Sequence, residues 1–486
     1  MSLVLEAIRA NAAARPNGPA LTGAGVHLTW PDLQREIEAA AAWMQTCLRD
    51  LPPGAPVAVA LDNGPAWVVI DLALVFLNRP SLPLPPFLTA AQRDHALADA
   101  GACLLVGPSA TTTDPISAVV AGAVVSARVL SGAEKLLHAG TAKITYTSGS
   151  TAAPKGVCLS QAQMEAVAAS LVETIGAEFA GRHLGVLPLG VLLENVAGLY
   201  PTLLAGGEYH ARSLSDLGFA NPFRPDISRL ADAVEAVDAS SIILVPELLR
   251  GLIGFLAFTG RRLPSLKLVA VGGAKVSPQL IAAARAVGLP AYEGYGLSEC
   301  ASVVAVNTPA ADRPGAVGRV LPHLRLETAP DGEVMVSPRP FLGYVGAKPH
   351  EGALRTGDLG VVDSDGFLTI TGRKSNVIIT AFGRNVAPEW VESELLAQPE
   401  IAQAAVFGEA AAGLCALIVP SRADLPGTAL EAAVAGANAR LPDYAKVDRW
   451  RLVPPFDPSR GELTGNGRPR RAALHQSHRD FIDQPA

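Results

Sequence analysis

The stretch KITYTSGSTAAPKGVCLS, residues 143–160, places a loop rich in glycine and hydroxyl side chains directly after a strand-like run. A helical pattern follows over residues 161–175. Small residues let backbone N–H groups approach an anion, and hydroxyls and a lysine add further donors. The stretch therefore predicts a phosphate-binding loop at the end of a strand, with a flexible surface loop as the alternative.

The loop differs from that of P-loop NTPases, which reads GxxxxGK and then Ser or Thr. Here Lys155 lies between Pro154 and Gly156, so no hydroxyl follows the lysine to hold Mg²⁺. A metal ligand must therefore come from another part of the chain.

Strand-like runs alternate with helical patterns over the first three quarters of the chain, as in PVAVAL (56–61), SSIILVP (240–246) and KLVAVGG (267–273). This alternation predicts parallel sheets covered by helices, with ligands bound beyond the carboxyl ends of the strands. From about residue 310, short alternating strands and the hairpin signal PDGE predict a small barrel or antiparallel sheet. A helix from Pro388 and further strands follow, which places a domain boundary near residue 374.

Composition narrows the class of protein. The 486 residues are 49% hydrophobic and 17% charged, with a net charge of −6 and no basic block interleaved with aromatic residues, so nucleic acid is not expected as a partner. Five widely spaced cysteines without a CxxC pair favour a reducing compartment and disfavour a zinc site. The first residues predict an amphipathic helix, and Asp71 interrupts the longest apolar run. We therefore expect a cytoplasmic protein without a transmembrane segment.

Two glycine-rich turns, VGGAKVSP (271–278) and YEGYGLSEC (292–300), follow apolar runs that predict adjacent strands. Tyr295 offers a flat face for a purine, and Glu299 beside Ser298 offers the hard oxygen ligand that Mg²⁺ prefers. The structural alternative is a tight turn at GYG, with Glu299 at the start of a helix.

Two further clusters carry charge. In RTGDLG (355–360), Asp358 lies between glycines and suits a ribose, and Arg373 suits ribose or phosphate oxygens. The alternatives are a turn-capping aspartate and a surface ion pair. The C-terminal GELTGNGRPRR (461–471) is either a solvated basic tail or a mobile loop that brings positive charge to a phosphate.

Together and in this order, the clusters resemble the superfamily of adenylate-forming, AMP-binding enzymes, with the long-chain acyl-CoA synthetases the most similar group. YTSGSTAAPKG looks like the phosphate loop, YGLSE the adenine and magnesium motif, RTGDLG the ribose motif, GRKSNVI the hinge, and LTGNGRPRR the C-terminal catalytic loop. The resemblance implies an α/β protein. A large N-terminal domain, residues 1–373, would hold two doubly wound α/β subdomains and a β-barrel-like subdomain, followed by a small mobile α+β domain, residues 374–486.

The resemblance also implies residue roles. Catalytic roles fall to Lys155, Glu299 and Arg468, with Glu299 as the metal ligand and Gly383 along a thiol tunnel. Nucleotide binding falls to Thr147, Ser148, Gly149, Ser150, Thr151, Gly272, Gly273, Ala274, Tyr295, Gly296, Ser298, Asp358 and Arg373. The implied cofactors are ATP, Mg²⁺ and CoA, or the phosphopantetheine of a carrier protein. The implied reaction joins a carboxylic acid to AMP, releases pyrophosphate, and passes the acyl group to a thiol.

The sequence departs from the family pattern at four positions. Val191 stands where long-chain relatives have a histidine, although Glu194 matches; Ser375 takes the hinge position; Ala152 replaces a loop glycine; and Arg468 replaces a lysine. A degenerate protein that binds nucleotide without turnover is therefore the alternative from another class. For an enzyme, a fatty acid is the expected substrate and an aryl acid the alternative.

Overall fold

The computed structural model describes residues 2–109, 116–131, 135–147, 154–221, 225–381, 383–409, 411, 413–464 and 467–484. Strands and helices within these ranges are numbered in chain order. The α/β class and the division into a large N-terminal part and a small C-terminal part agree with the sequence analysis.

The largest sheet is mixed, with six adjacent parallel strands flanked by antiparallel edges. Its nine strands within the described ranges run, from one edge, β16 (Arg319–Val320), β15 (Ser302–Val306), β14 (Ala291–Leu297), β13 (Leu268–Val271), β12 (Ser241–Leu244), β10 (Arg182–Leu184), β11 (Glu208–His210), β1 (Pro19–Gly23) and β2 (Val26–Thr29). Strands β13 and β14 are neighbours, as predicted, so the residues after them meet at one edge.

A second mixed sheet carries the strands on either side of the predicted phosphate loop. Within the described ranges its eight strands run β19 (Gly343–Tyr344), β9 (Lys155–Ser160), β8 (Thr141–Thr147), β4 (Ser81–Pro83), β3 (Val57–Val59), β5 (Leu104–Pro108), β7 (Ala123–Val129) and β6 (Ser117–Val120). Strands β8 and β9 pair antiparallel, with Thr147 opposite Lys155. The glycine-rich segment thus joins two strands, and the predicted helix begins only after β9.

Helices cover the two large sheets. Those of the N-terminal part are α1 (Leu3–Ala14), α2 (Trp30–Cys47), α3 (Pro65–Phe76), α4 (Ala90–Ala100), α5 (Gln161–Ile175), α6 (Leu192–Glu194), α7 (Tyr200–Leu204), α8 (Ile227–Val237), α9 (Pro246–Thr259) and α10 (Pro278–Ala286). The side chains of Thr29, Thr89 and Ser160 form capping boxes that fix where α2, α4 and α5 begin. Between α6 and α7, a π-helix spans Asn195–Leu199.

The predicted barrel-like segment is a four-stranded antiparallel sheet, β17 (Arg325–Thr328), β18 (Glu333–Ser337), β20 (Leu354–Val362) and β21 (Leu368–Arg373). The PDGE signal forms the turn between β17 and β18, where Gly332 has a φ of +81°. That conformation is open to glycine and strained for most other residues.

The C-terminal part has its own apolar clusters, whose members all lie beyond residue 377. Its elements are β22 (Ile378–Ile379), β23 (Asn385–Val386), α11 (Pro388–Leu396), β24 (Ile401–Phe407), β25 (Leu414–Pro420), α12 (Gly427–Asn438), β26 (Val447–Leu452), α13 (Arg471–Ser477) and α14 (Arg479–Ile482). The boundary between residues 373 and 374 stays a prediction at the level of single residues. In the described part of the chain, no helix combines the length and apolarity needed to cross a membrane.

Candidate active site

A cleft of about 2790 Å³ opens at the carboxyl ends of β13 and β14 and reaches the C-terminal part. Most of the described residues predicted for nucleotide binding or catalysis line it: Gly272, Gly273, Ala274, Tyr295, Gly296, Ser298, Glu299, Asp358, Arg373 and Arg468. Gly296 is required by geometry, because a Cβ there would lie 1.8 Å from the carbonyl oxygen of Ser302. GYG is part of strand β14 and not the tight turn of the structural alternative.

Tyr295 and Asp358 are hydrogen-bonded to each other in the wall of the cleft. The Tyr295 hydroxyl donates to Asp358 Oδ2 over 2.6 Å, and Arg373 Nε lies 3.9 Å from Oδ1. Burial raises the pKa of Asp358, while the Tyr295 hydrogen bond and the Arg373 and Arg468 charges oppose that rise. The result is a preorganised carboxylate in the middle of β20, beside the predicted adenine slot.

Glu299 is held by a residue that the sequence analysis missed. The Tyr344 hydroxyl donates to Glu299 Oε1 over 2.8 Å, and Lys155 Nζ lies 5.3 Å from the centroid of the Tyr344 ring. Strand β19 places Tyr344 beside β9, so one aromatic side chain connects the lysine and the carboxylate. Its only signal in the sequence is an aromatic residue after a glycine in FLGYVG.

Arg468 reaches the cleft from a hairpin in the C-terminal part. Thr464 N donates to the Arg468 carbonyl over 2.8 Å, and Arg468 N donates to Thr464 Oγ1 over 3.0 Å. Protein surrounds the guanidinium, yet its side chain is exposed to the cleft. Burial and the neighbouring Arg373 charge lower the pKa of Arg468, which still remains a cation. Within the described residues its guanidinium makes no hydrogen bond or ion pair.

Arg471 anchors that hairpin. Its guanidinium donates to both oxygens of Glu392 over 2.5 and 2.6 Å and to Glu389 over 3.2 Å. Both carboxylates lie on α11, so a bidentate ion pair ties the residues after Arg468 to the core of the C-terminal part.

Four groups of predicted residues are not among those that line the cleft. Lys155 is exposed and reaches only as far as the Tyr344 ring at the cleft wall. Ser148, Gly149, Ser150 and Thr151, like Ala152, lie outside the described residues. The backbone of Thr147 ends β8 next to them. Gly383 is exposed at the turn between β22 and β23, with a φ of +68°, and is not among the residues that line the cleft.

An apolar channel extends the cleft between the large sheet and its covering helices. Its sheet wall is one face of β10, β12 and β13, because register places His183, Ser241 and Leu268 side by side, with Ile243 beside Ala270. The opposite wall comes from Leu171, Val172, Ile175, Ala197, Gly198, Pro201 and Thr202. Ile243 and Leu268 are buried but belong to none of the apolar clusters, because they face this channel.

Glu194, which matched the long-chain pattern, is fully buried beneath the channel. Its carboxylate accepts hydrogen bonds from Tyr209, Val186 N and Leu187 N and lies 3.0 Å from His183 Nε2. Gly198 permits this packing, since a Cβ there would lie 2.5 Å from Glu194 Oε1. Glu194 therefore fixes the chain entering the π-helix, and Val191 lines the cleft where the pattern has a histidine.

A buried pair behind the adenine slot was also missed. Glu293 on β14 and Lys275 after β13 both line the cleft, and burial raises the pKa of Glu293 to about 8 although the Lys275 charge opposes it. Burial lowers the pKa of Lys275, whose Nζ donates to the Ile370 carbonyl over 2.7 Å.

Comparison with known families identifies this arrangement. A model described as AMP-binding enzyme matches residues 8–337, and one described as AMP-binding enzyme C-terminal domain matches residues 375–485. The chain belongs to the AMP-binding enzyme family, as its motifs indicated.

The named relatives include both a fatty-acid ligase and a synthase named for an aryl acid, the two classes of substrate weighed in the sequence analysis. The chain is 35% identical to the long-chain-fatty-acid–CoA ligase FadD15 of Mycobacterium bovis over 243 residues, which cover 44% of this chain and 40% of that protein. It is 28% identical to a feruloyl-CoA synthase of Amycolatopsis over 420 residues, 81% of this chain and 83% of that one. The crystal structure of the anthranilate CoA ligase AuaEII with anthranoyl-AMP has the same fold, with a TM-score of 0.83, 17% identity, and coverage of 100% and 98%.

Proposed function

We propose that this protein activates a carboxylic acid with ATP and transfers the acyl group to a thiol. In the first step a carboxylate oxygen bonds to the α-phosphorus, the bond to the bridging oxygen breaks, and pyrophosphate leaves. In the second step a thiolate sulfur attacks the acyl carbonyl of the acyl-AMP, and AMP leaves with the bonding electron pair. One observation supports the proposal above all: Glu299, Asp358, Arg373 and Arg468 face one cleft that continues into an apolar channel.

The chain's residues have distinct tasks in the first step. The Asp358 carboxylate would accept the ribose hydroxyls, in exchange for the Tyr295 hydroxyl that it accepts in this structure. Arg468 would lie between the attacking carboxylate and the α-phosphate and offset their repulsion. Lys155 and Arg373 would stabilise negative charge on the phosphates, which is the main catalytic demand of such transfers.

The donor set also fits Mg²⁺. This ion is usually held by one or two carboxylates together with water and substrate phosphates. Glu299 offers one carboxylate to the cleft, and the described residues contain no group of three or more His, Cys, Asp or Glu side chains that could hold a metal alone. Glu299 would hold the ion, which would supply positive charge to the phosphates of ATP.

The channel favours a fatty acid over an aryl acid. Its polar groups are already paired, with His183 bonded to Ser241 and Glu194, and the Thr202 hydroxyl donating to Gly198 O. Small residues at Ala197 and Ala270 leave room for a linear chain. A fatty acid would bury its methylenes there at about 0.8 kcal/mol each.

The thiol would be that of CoA, since the named relatives are CoA ligases; a carrier-protein phosphopantetheine is the alternative acceptor. The C-terminal part would reorient between the steps and bring the turn of Gly383 to the thiol path. The charged cleft, with the side chains of Glu299, Asp358, Arg373 and Arg468 all along its wall, argues against a protein that only binds nucleotide.

The test is ATP–pyrophosphate exchange with a panel of linear acids of increasing length and with ferulate as the aryl acid. Under the proposal AMP and pyrophosphate are the products, and kcat/KM rises up to about fourfold for each added methylene until the channel is filled. Formation of ADP would reject the reaction, and a preference for ferulate would reject the fatty acid.

A further inference from the structure

Arg250, in the second turn of α9, contacts the C-terminal part across the cleft. Its Nη1 lies 3.3 Å from the Ile401 carbonyl oxygen and 3.4 Å from that of Ala402, at the start of β24. These two carbonyls are the only hydrogen-bond acceptors found for the guanidinium within the described ranges. An N-terminal-domain cation is thus satisfied by backbone of the other part of the chain.

The burial and charge of Arg250 make its two carbonyl contacts energetically important. Burial lowers the pKa of Arg250, and the nearby Glu247 charge opposes that effect. An arginine stays charged, and a hydrogen bond to a charged group stabilises the arrangement in which it forms. The present arrangement of the two parts is therefore favoured over one in which the carbonyls move away.

Glu247 and Arg250 are three residues apart on α9 and so lie on the same side of the helix. Glu247 is within electrostatic reach of Arg468, and its charge favours the cationic guanidinium. One face of α9 therefore approaches both β24 and the catalytic hairpin.

Hydrogen bonds inside the C-terminal part connect the start of β24 to the hairpin that carries Arg468. Gln403 Oε1, on β24, accepts a hydrogen bond from Phe456 N over 2.9 Å. Asp457 N donates to Glu462 Oε2 over 2.8 Å, at the beginning of the hairpin that carries Arg468. Fixing the start of β24 against α9 therefore also fixes the hairpin against the cleft.

We propose that Arg250 is a positioning residue: it holds the C-terminal part in the arrangement that places Arg468 in the cleft during formation of acyl-AMP. The inference rests on the proposed two-step reaction. Reorientation for the thiol step must break both carbonyl contacts, so Arg250 supports the first step alone.

The test measures the two half-reactions separately in Arg250→Ala. Formation of acyl-AMP should fall about tenfold, the usual effect of losing a charged hydrogen bond. Thioester formation from supplied acyl-AMP should stay within twofold of wild type, and Arg250→Lys should recover part of the loss. The matched control is Arg262→Ala, because Arg262 donates to the Val287 carbonyl within its own domain.

A double variant separates positioning from a general structural effect. If Arg250 acts through Arg468, adding Arg250→Ala to Arg468→Ala should cause little further loss of acyl-AMP formation. Equal loss in both half-reactions, an equal effect of Arg262→Ala, or additive losses in the double variant would each overturn the proposal.

A distance measurement tests the role of Arg250 without relying on the proposed reaction. Spin labels at exposed positions, in Ala236→Cys on α8 and Glu431→Cys on α12 with Cys47→Ser, report the arrangement of the two parts. Arg250→Ala should broaden the distance distribution and Arg262→Ala should not. If the wild type forms no acyl-AMP from any acid, the proposed function fails while this measurement still decides the contact; an unchanged distribution would reject it.

Discussion

Lys143 and Arg468 are both cations, but their hydrogen-bond donors are used differently. Lys143 is buried beneath α3, the π-helix and α7, with Nζ 2.6 Å from Asp71 Oδ1 and 2.5 Å from Asn195 Oδ1. The rings of Trp67 and Tyr200 each lie 5.7 Å from it. Arg468 makes no such contact within the described residues and faces a cleft.

The difference separates a cation that belongs to the scaffold from one that is available to a ligand. The Asp71 carboxylate compensates the charge of Lys143 and is itself held in place by hydrogen bonds from Asn195 and Tyr200. Lys143 lies on β8, only a few residues before the predicted phosphate loop, so closeness in sequence to a motif does not distinguish the two roles. What distinguishes them is how many of their N–H donors already have an acceptor in the protein.

The largest expected effect follows from breaking the scaffold pair. Lys143→Met leaves the Asp71 carboxylate buried without its cation and should lower the free energy of unfolding by about 3–5 kcal/mol. Urea denaturation measures it, and Lys267→Met, at an exposed lysine, is the control. A loss equal to that of the control would place Lys143 among the solvated charges.

The matching change at Arg468 should remove activity and leave the fold intact. Arg468→Ala should lower acyl-AMP formation by about 10²–10³-fold, as for loss of one preorganised electrostatic group. Thioester formation from supplied acyl-AMP should be largely spared, because under the proposed function the C-terminal part would turn away in that step. Arg468→Lys should retain part of the activity.

Both half-reactions and the unfolding midpoint are measured in the same preparation. Arg479→Ala, which removes an exposed arginine paired with Asp483 in the same part of the chain, is the control. Equal loss in both half-reactions, or loss in neither, contradicts the assigned role.

The sequence predicted the class, the order of parts and most of the cleft for a physical reason. Parallel strands such as β13 and β14 bring the residues after them to one edge, so the glycine-rich turns could be placed before any contact was known. The helix over 161–175 was equally readable, because Ser160 and Gln163 form its capping box.

The missed features depend on contacts between distant segments. Strand β9 was not predicted, since its residues follow the loop without strict alternation and are placed by pairing with β8 and β19. Tyr344 and Arg250 act across 45 and 151 residues of sequence, on Glu299 and Ile401 respectively. No local pattern marks such partners.

A substitution of Glu299 tests the same distinction, between a structural charge and a ligand-binding charge, for an anion in the cleft. Glu299→Gln keeps an acceptor for the Tyr344 hydroxyl but removes the charge that would hold Mg²⁺, so kcat should fall by about a hundredfold. The unfolding midpoint should hardly change. Steady-state rates over a range of Mg²⁺ concentrations measure the effect, beside Glu327→Gln at an exposed position. Near-normal turnover would return Glu299 to a purely structural role.

The smallest expected effect concerns Glu293, which is buried like Lys143 but poorly compensated. Burial raises its pKa from an ordinary 4.5 to about 8, so the folded protein keeps a proton that the unfolded chain loses from pH 4.5 upward. The unfolded state then binds fewer protons, and this group's contribution to stability falls as pH rises from about 4.5 to about 8.

The variant Glu293→Gln lacks that titration. Its free energy of unfolding, relative to wild type, should therefore rise by about 1–2 kcal/mol between pH 5 and pH 6. Urea denaturation at both pH values measures the difference, with Glu327→Gln as the exposed control; a difference that is constant or falls with pH would show that Lys275 keeps Glu293 ionised in the folded protein.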